Sequence, residues 1–259
     1  MVRRVTTSTE NETRIDPLWR SWEGAHGGHV AAVALAAVRA RFAGGAHPVR
    51  TLTTHFLAPA AAGPLHVSGT TPASGRRTAA CVFSGHQDGL PVVVGSALFG
   101  SGRPGTPYDG QPAPDVPGPE GCEAVRLPGH LAPFAWQLEI RPASADLPLA
   151  GGDRAHLLAW VRFTDGRALD AGAVVTLTDV LPPALYAVWR SPRPVPSAEL
   201  TVHFTDALDE STGDGWALVR IRTDHAGAGW AVDDSAVWAA DGRLLALGRQ
   251  SRVVRGERP

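Results

Sequence analysis

His26 and His29 stand three residues apart at the head of an apolar stretch, a spacing at which two imidazoles can share a metal ion. No thiol or carboxylate of matching spacing completes the set, so a metal centre is not expected. Gly100-Ser101-Gly102-Arg103-Pro104-Gly105 spells a dinucleotide fingerprint. That motif needs a helix directly after its loop, and Pro104, Pro107 and Pro112 forbid one. No serine sits in the G-x-S-x-G elbow of an α/β-hydrolase. All 24 cationic side chains are arginine. Without lysine, neither Schiff-base chemistry nor a lysine-dependent phosphate loop is available. Cys81 and Cys122 form no C-x-x-C pair and read as free, buried thiols suited to a reducing cytoplasm. No cofactor is called for by these residues.

The 259 residues are 44% hydrophobic and 19% charged, enough apolar material for one large domain or two ordinary ones. Net charge is −1 and no basic stretch stands out, which argues against a nucleic-acid partner. The most apolar helical stretch, Val30 to Val38, is far too short to cross a bilayer. Arg3 and Arg4 are followed by polar residues rather than the apolar core of a signal peptide. A protein of the cytoplasm, with no membrane partner, is the expectation.

An internal repeat organises the chain. Leu52-Thr53-Thr54-His55-Phe56 recurs as Leu200-Thr201-Val202-His203-Phe204, and Asp88-Gly89 with Gly95 recurs as Asp241-Gly242 with Gly248. Upstream, Val30, Ala34, Leu35, Ala37 and Val38 align with Val180, Ala184, Leu185, Ala187 and Val188. Each copy reads as a small-residue helix followed by four strands. The helices are expected over 27–42 and 178–189, with Pro182 and Pro183 in the first turn of the second. The strands are expected over 49–58, 65–71, 77–86 and 91–100, then over 197–205, 216–224, 229–239 and 244–255. Asp88-Gly89 and Asp241-Gly242 look like hairpin turns. Strand-like segments at 134–141 and 156–163 join the second copy, and the Pro/Gly-rich run between the copies reads as a crossover or mobile loop rather than packed structure. The first helix is apolar nearly all round and must be buried. His55 and His203 hold equivalent places in paired strands, which favours a structural role. An α+β fold follows: two tandem units, each a central helix wrapped by an antiparallel sheet, with boundaries at 1–100, a linker at 101–129 and 130–259.

Four segments carry a resemblance to a known family. They are His26-Gly27-Gly28-His29-Val30-Ala31, Thr54-His55-Phe56-Leu57-Ala58-Pro59, the run Pro196 to Phe204, and Asp241 to Gln250. Their order and spacing resemble the acyl-CoA thioesterase II (TesB-like) family of double-hotdog enzymes of lipid metabolism. The resemblance implies hydrolysis of acyl-CoA thioesters by an Asp, a Thr or Ser, and a Gln, all from the second unit, that together hold a water. Position by position these fall on Asp179, Ser197 and Gln250. His26 stands where the family has an aromatic residue, and His29 where it has glutamine.

The implied roles suit the residue types. A carboxylate takes the proton of an attacking water, and a hydroxyl and an amide fix that water in place. Gly27 and Gly28, with His29, are the expected substrate-binding residues, since a glycine-led helix N-terminus lets a carbonyl oxygen reach backbone N–H groups. The repeat adds an independent check. The first-copy counterparts of Asp179, Ser197 and Gln250 are His29, Val49 and Ala97, so the water-holding set exists once. Two alternatives share the fold: a dehydratase or hydratase with His29 opposite Asp179, and a protein that binds acyl thioesters without turning them over. The partner is an acyl-CoA or acyl-carrier thioester, with a homo-oligomer as the expected assembly.

Overall fold

The structure, a computed structural model, describes residues 9–41, 47–210 and 215–256. Its first half runs β1 (Thr9–Ile15), α1 (Gly27–Arg41), β2 (Val49–Phe56), β3 (Gly63–Ser74), β4 (Thr78–Gln87) and β5 (Leu90–Gly100). The second runs β6 (Leu138–Pro142), β7 (His156–Phe163), α2 (Ala171–Leu177), β8 (Ser197–Phe204), β9 (Ala217–Gly227), β10 (Trp230–Ala239) and β11 (Leu244–Val253). The expected end of the first helix, Phe42, lies outside the described residues, as do Arg3 and Arg4.

All eleven strands form one antiparallel sheet in the order β1-β3-β4-β5-β2-β8-β11-β10-β9-β7-β6. Outward from the central β2–β8 pair the two sides repeat the same sequence of strands, with β6 added at one edge. Thr53 and Thr201 face each other across that pair and share a 2.9 Å hydrogen bond between hydroxyls. The repeated Leu-Thr segments therefore lie side by side at an approximate two-fold axis. Asp88 and Gly89 make a two-residue hairpin with φ of 49° and 77°, a left-handed pair that glycine adopts freely and aspartate tolerates. β1 was not expected; its polar run gains its place by pairing with β3.

Alternation along the strands sends successive side chains to opposite faces. On one face α1 and α2 pack together, with Val30, Ala31, Ala34, Leu35 and Val38 of α1 buried. The other face differs between halves. In the first half it carries half-exposed Val82 and Leu98, whereas in the second it buries Trp160, Trp216, Leu218 and Trp238 as a separate cluster.

A Pro-rich strap makes that second cluster. Trp238 donates its indole N–H to the Gln111 carbonyl at 2.9 Å, and Trp160 donates to Pro117 at 2.8 Å. Arg141 reaches the Pro119 carbonyl at 2.7 Å. Residues 111–122 of the supposed mobile loop are thus pinned to the sheet. Proline contributes to this: Pro112, Pro114, Pro117 and Pro119 have no N–H to satisfy, so the segment can lie on an apolar surface while its carbonyls accept from tryptophan and arginine.

The second helix also differs from expectation. Asp170 accepts from the Ala173 N–H at 2.8 Å and starts α2 at Ala171; the helix ends at Leu177, with Thr178 as its C-cap. Pro182 and Pro183 do not lie in the first turn of an α-helix; they fall after α2 has ended, and Pro183 is the N-cap of a short 3-10 turn, Ala184–Ala187. The block Val180 to Val188 is therefore not the counterpart of α1. Asp179 follows the C-terminus of α2 instead of starting a helix. Of the two thiols, Cys81 is buried but Cys122, on the strap, is only partly so.

Candidate active site

Three elements bring Asp179, Ser197 and Gln250 together: the segment after α2, the first residue of β8 and the middle of β11. Strand pairing sets the last two, because β8 and β11 are neighbours with Ser197 opposite Arg252 and Leu200 opposite Gln250. Gln250 Nε2 donates to Asp179 Oδ1 at 2.6 Å and to Ser197 Oγ at 3.2 Å. Gln250 is 1% exposed and Asp179 9%.

The opposite wall is the start of α1. The Gly28 N–H donates to Asp179 Oδ2 at 2.8 Å. A Cβ at Gly28 would lie 2.9 Å from Asp179 Cβ and 3.0 Å from the Thr176 carbonyl, so only glycine admits this approach. Gly27 is as close, with its Cβ position 3.1 Å from Asp179 Oδ2. The Gly28 amide, expected to serve substrate, is thus spent on Asp179.

His26 closes the same end of α1. Its Nδ1 accepts the His29 N–H at 3.2 Å, so the ring proton sits on Nε2, which donates to the Asp179 carbonyl at 2.9 Å. The ring lies 4.1 Å from that of Phe134, centroid to centroid. Burial pushes its pKa below 6.5, against the pull of nearby Asp179, and keeps the imidazole neutral. His29 stacks on Trp19 at 4.8 Å, and burial with neighbouring His26 pushes its pKa down to about 4.

Arg252 is the residue that sequence reasoning missed. Its side chain is 5% exposed, and Nη2 donates to Asp179 Oδ1 at 3.0 Å and to Gln250 Oε1 at 2.6 Å. Nη1 donates to Ser197 Oγ at 3.0 Å. Nε lies 2.7 Å from Oδ2 of buried Asp233, a charge contact without hydrogen-bond alignment. Strand alternation held the signal, since Arg252 follows Gln250 by two and must share its face. Burial pushes the Asp179 carboxyl up, but His26, Arg252, Gln250 and the Gly28 N–H together hold it below the ordinary value. Among those groups Arg252 is the one whose positive charge is permanent.

Among the described residues no group of three metal-capable side chains occurs. Burial pushes the Cys81 thiol up to about 11, which leaves it a poor nucleophile. The arrangement holds an ionised, buried carboxylate beside a hydroxyl and an amide, the equipment for activating a water.

A family model described as the acyl-CoA thioesterase C-terminal domain matches residues 108–254, and one described as the acyl-CoA thioesterase N-terminal domain matches residues 15–100. Among solved structures, a conserved protein of unknown function with a hot dog fold from Alicyclobacillus acidocaldarius has a TM-score of 0.89 at 24% identity, over 96% of this chain and 94% of that one. Acyl-CoA thioesterase II TesB2 from Mycobacterium marinum has a TM-score of 0.75 at 20% identity, over 95% and 94%. At such identities the likeness is one of fold, a hotdog fold. Curated relatives are three Xanthomonas oryzae proteins named protein nucleotidyltransferase YdiU, 27% identical over 187 residues. That match takes in 67% of this chain but spans only about a third (32%) of their length, and it brings no activity with it. The two family models together run through both halves of the sheet, and on them the chain belongs to the acyl-CoA thioesterase family.

Proposed function

We propose that the chain hydrolyses acyl-CoA or acyl-carrier thioesters, with Asp179 as general base and Ser197 and Gln250 fixing the attacking water. One observation carries the reading: Gln250 bridges Asp179 Oδ1 and Ser197 Oγ from a position far along the chain from both. The water loses its proton to Asp179 as its oxygen bonds to the thioester carbon. The C–S bond then breaks, and the proton leaves with the thiol. A depressed carboxyl pKa suits this step, because the base must be ionised before attack.

Two tandem hotdog units frame the site in this reading: 1–100, a linker at 101–129, and 130–259 carrying Asp179, Ser197 and Gln250. The repeated strand order on either side of β2–β8 supports the division. Gly27, Gly28 and His29 form the facing wall from the first unit, with Gly28 serving through Asp179. A cytoplasmic setting accords with two free thiols. No helix among the described residues is long and apolar enough to span a membrane.

The dehydratase alternative needs His29 opposite Asp179, but His29 stacks on Trp19 and the imidazole beside Asp179 is neutral His26. Incubation with acyl-CoAs of graded chain length and one enoyl-CoA, followed by thiol titration, tests the proposal. Thiol release is the expected result. Hydration of the enoyl-CoA without thiol release, or tight binding with no turnover on any chain length, would overturn it.

A further inference from the structure

Arg252 touches every member of the proposed water-holding set, and its hydrogen bonds fix what each member has left to offer. Gln250 Oε1 faces the guanidinium, so the amide cannot flip, and both Nε2 hydrogens go to Asp179 Oδ1 and Ser197 Oγ. Ser197 Oγ accepts twice, from Gln250 and from Arg252 Nη1, which fills both lone pairs and leaves its hydroxyl proton as its only unused group. Asp179 Oδ1 accepts twice, from Gln250 and Arg252. Oδ2 accepts from Gly28 alone at hydrogen-bond distance, with His26 Nε2 farther away at 3.6 Å.

We propose that Arg252 is a positioning residue that orients this cluster so that the reacting water meets two atoms, the hydroxyl proton of Ser197 and Oδ2 of Asp179. Gln250 then acts through those two rather than on the water itself. The inference rests on the hydrolytic reading and specifies it: Ser197 donates to the water, Asp179 Oδ2 receives its proton, and Arg252 never touches substrate. A buried guanidinium is costly unless paired, and this one lies between two buried carboxylates, Asp179 and Asp233. Asp233 is in turn held by the Thr223 hydroxyl at 2.6 Å.

The ionisable groups around Asp179 are His26 ahead of α1 and Arg252 on β11, with His29 behind His26. Asp233 on β10 and Tyr186 on the 3-10 turn face Arg252. Removing the guanidinium takes away the nearest fixed cation, so the Asp179 carboxyl should titrate at higher pH.

The test compares the full chain with Arg252→Lys and with Arg252→Met combined with Asp233→Asn, the second change removing the carboxylate left unpaired. Two readouts are taken: the pH profile of kcat for thiol release, and the pH titration of the Asp179 carboxyl by carbon NMR. Expected for the double variant are a kcat lower by roughly 100-fold, KM within about threefold, and an acid limb moved to higher pH. Arg252→Lys should recover part of kcat, since it restores the charge without the fork. A kcat loss with the acid limb and the Asp179 titration unmoved would overturn the proposal, as would undiminished kcat. If the parent releases no thiol, the hydrolytic reading fails, and the NMR titration still decides whether Arg252 sets the state of Asp179. A double variant that does not fold passes both readouts to Arg252→Lys, where parent-like kcat and titration would overturn the proposal.

Discussion

Asp179 caps a helix 151 residues away in the chain: its Oδ2 accepts the Gly28 N–H at the first turn of α1, at 2.8 Å. The carboxylate that would take a proton from water is therefore held by the helix of the first half of the chain. A helix N-terminus favours a negative partner, so the same bond that steadies α1 keeps Asp179 ionised. Fold and site share this contact.

Gly28→Ala should damage both. The added Cβ would meet Asp179 Cβ at 2.9 Å and the Thr176 carbonyl at 3.0 Å, and neither is the free end of a flexible side chain. Overpacking of this kind costs about 1–3 kcal/mol. A lowered Tm together with a kcat loss of about 100-fold is the expected outcome, the latter because a small displacement of Asp179 misaligns the water. Thermal unfolding and steady-state kinetics check the two halves.

Stability should fall on mild acidification. His26 and His29 have folded pKa values below the ordinary imidazole value of about 6.5, about 4 for His29. Between those values the unfolded chain binds protons that the folded chain does not, so stability is fully present above about pH 6.5 and is lost as pH falls toward about 4. Asp179, also depressed, adds a loss below about pH 3.9, where the unfolded carboxylate begins to take its proton. Urea unfolding at a series of pH values should show this slope, and His29→Gln should reduce it by about one proton. An unchanged slope would mean that His29 titrates normally in the folded state.

The Pro-rich strap should resist proteases. Its carbonyls at Gln111 and Pro117 are bound by buried tryptophans, and Trp238→Phe removes one of these bonds. The expected cost is about 1 kcal/mol, with faster cleavage within 111–122 during limited proteolysis. Cleavage of the parent there as fast as at an exposed loop would contradict the packing.

How far the sequence carried follows from what kind of information each feature needed. Strands β2 to β5 and β8 to β11 fall within three residues of their expected places, because turn residues and alternation are local signals. The helix expected at 178–189 failed because small apolar residues fit a helix or a buried coil equally well. Asp170, whose side chain caps α2, draws no attention in the sequence, and Pro182 and Pro183 are as compatible with a first helical turn as with the non-helical segment they occupy. The strap was read as loose because proline content says nothing of what lies beneath it; the tryptophans that bind it come from β7 and β10. Asp179, Ser197 and Gln250 were placed by family resemblance. Arg252 was legible only by counting two residues on from Gln250, and its importance needed the partners on three other elements.

The rate of thiol release by Asp179→Asn, set against the parent on the same acyl-CoA panel, tests the central claim most directly. Asparagine keeps the shape and an acceptor for Gly28 but cannot take a proton. The account predicts a kcat reduced by roughly 100- to 10,000-fold with the fold intact by circular dichroism. A folded Asp179→Asn variant that releases thiol at the parent rate would contradict it.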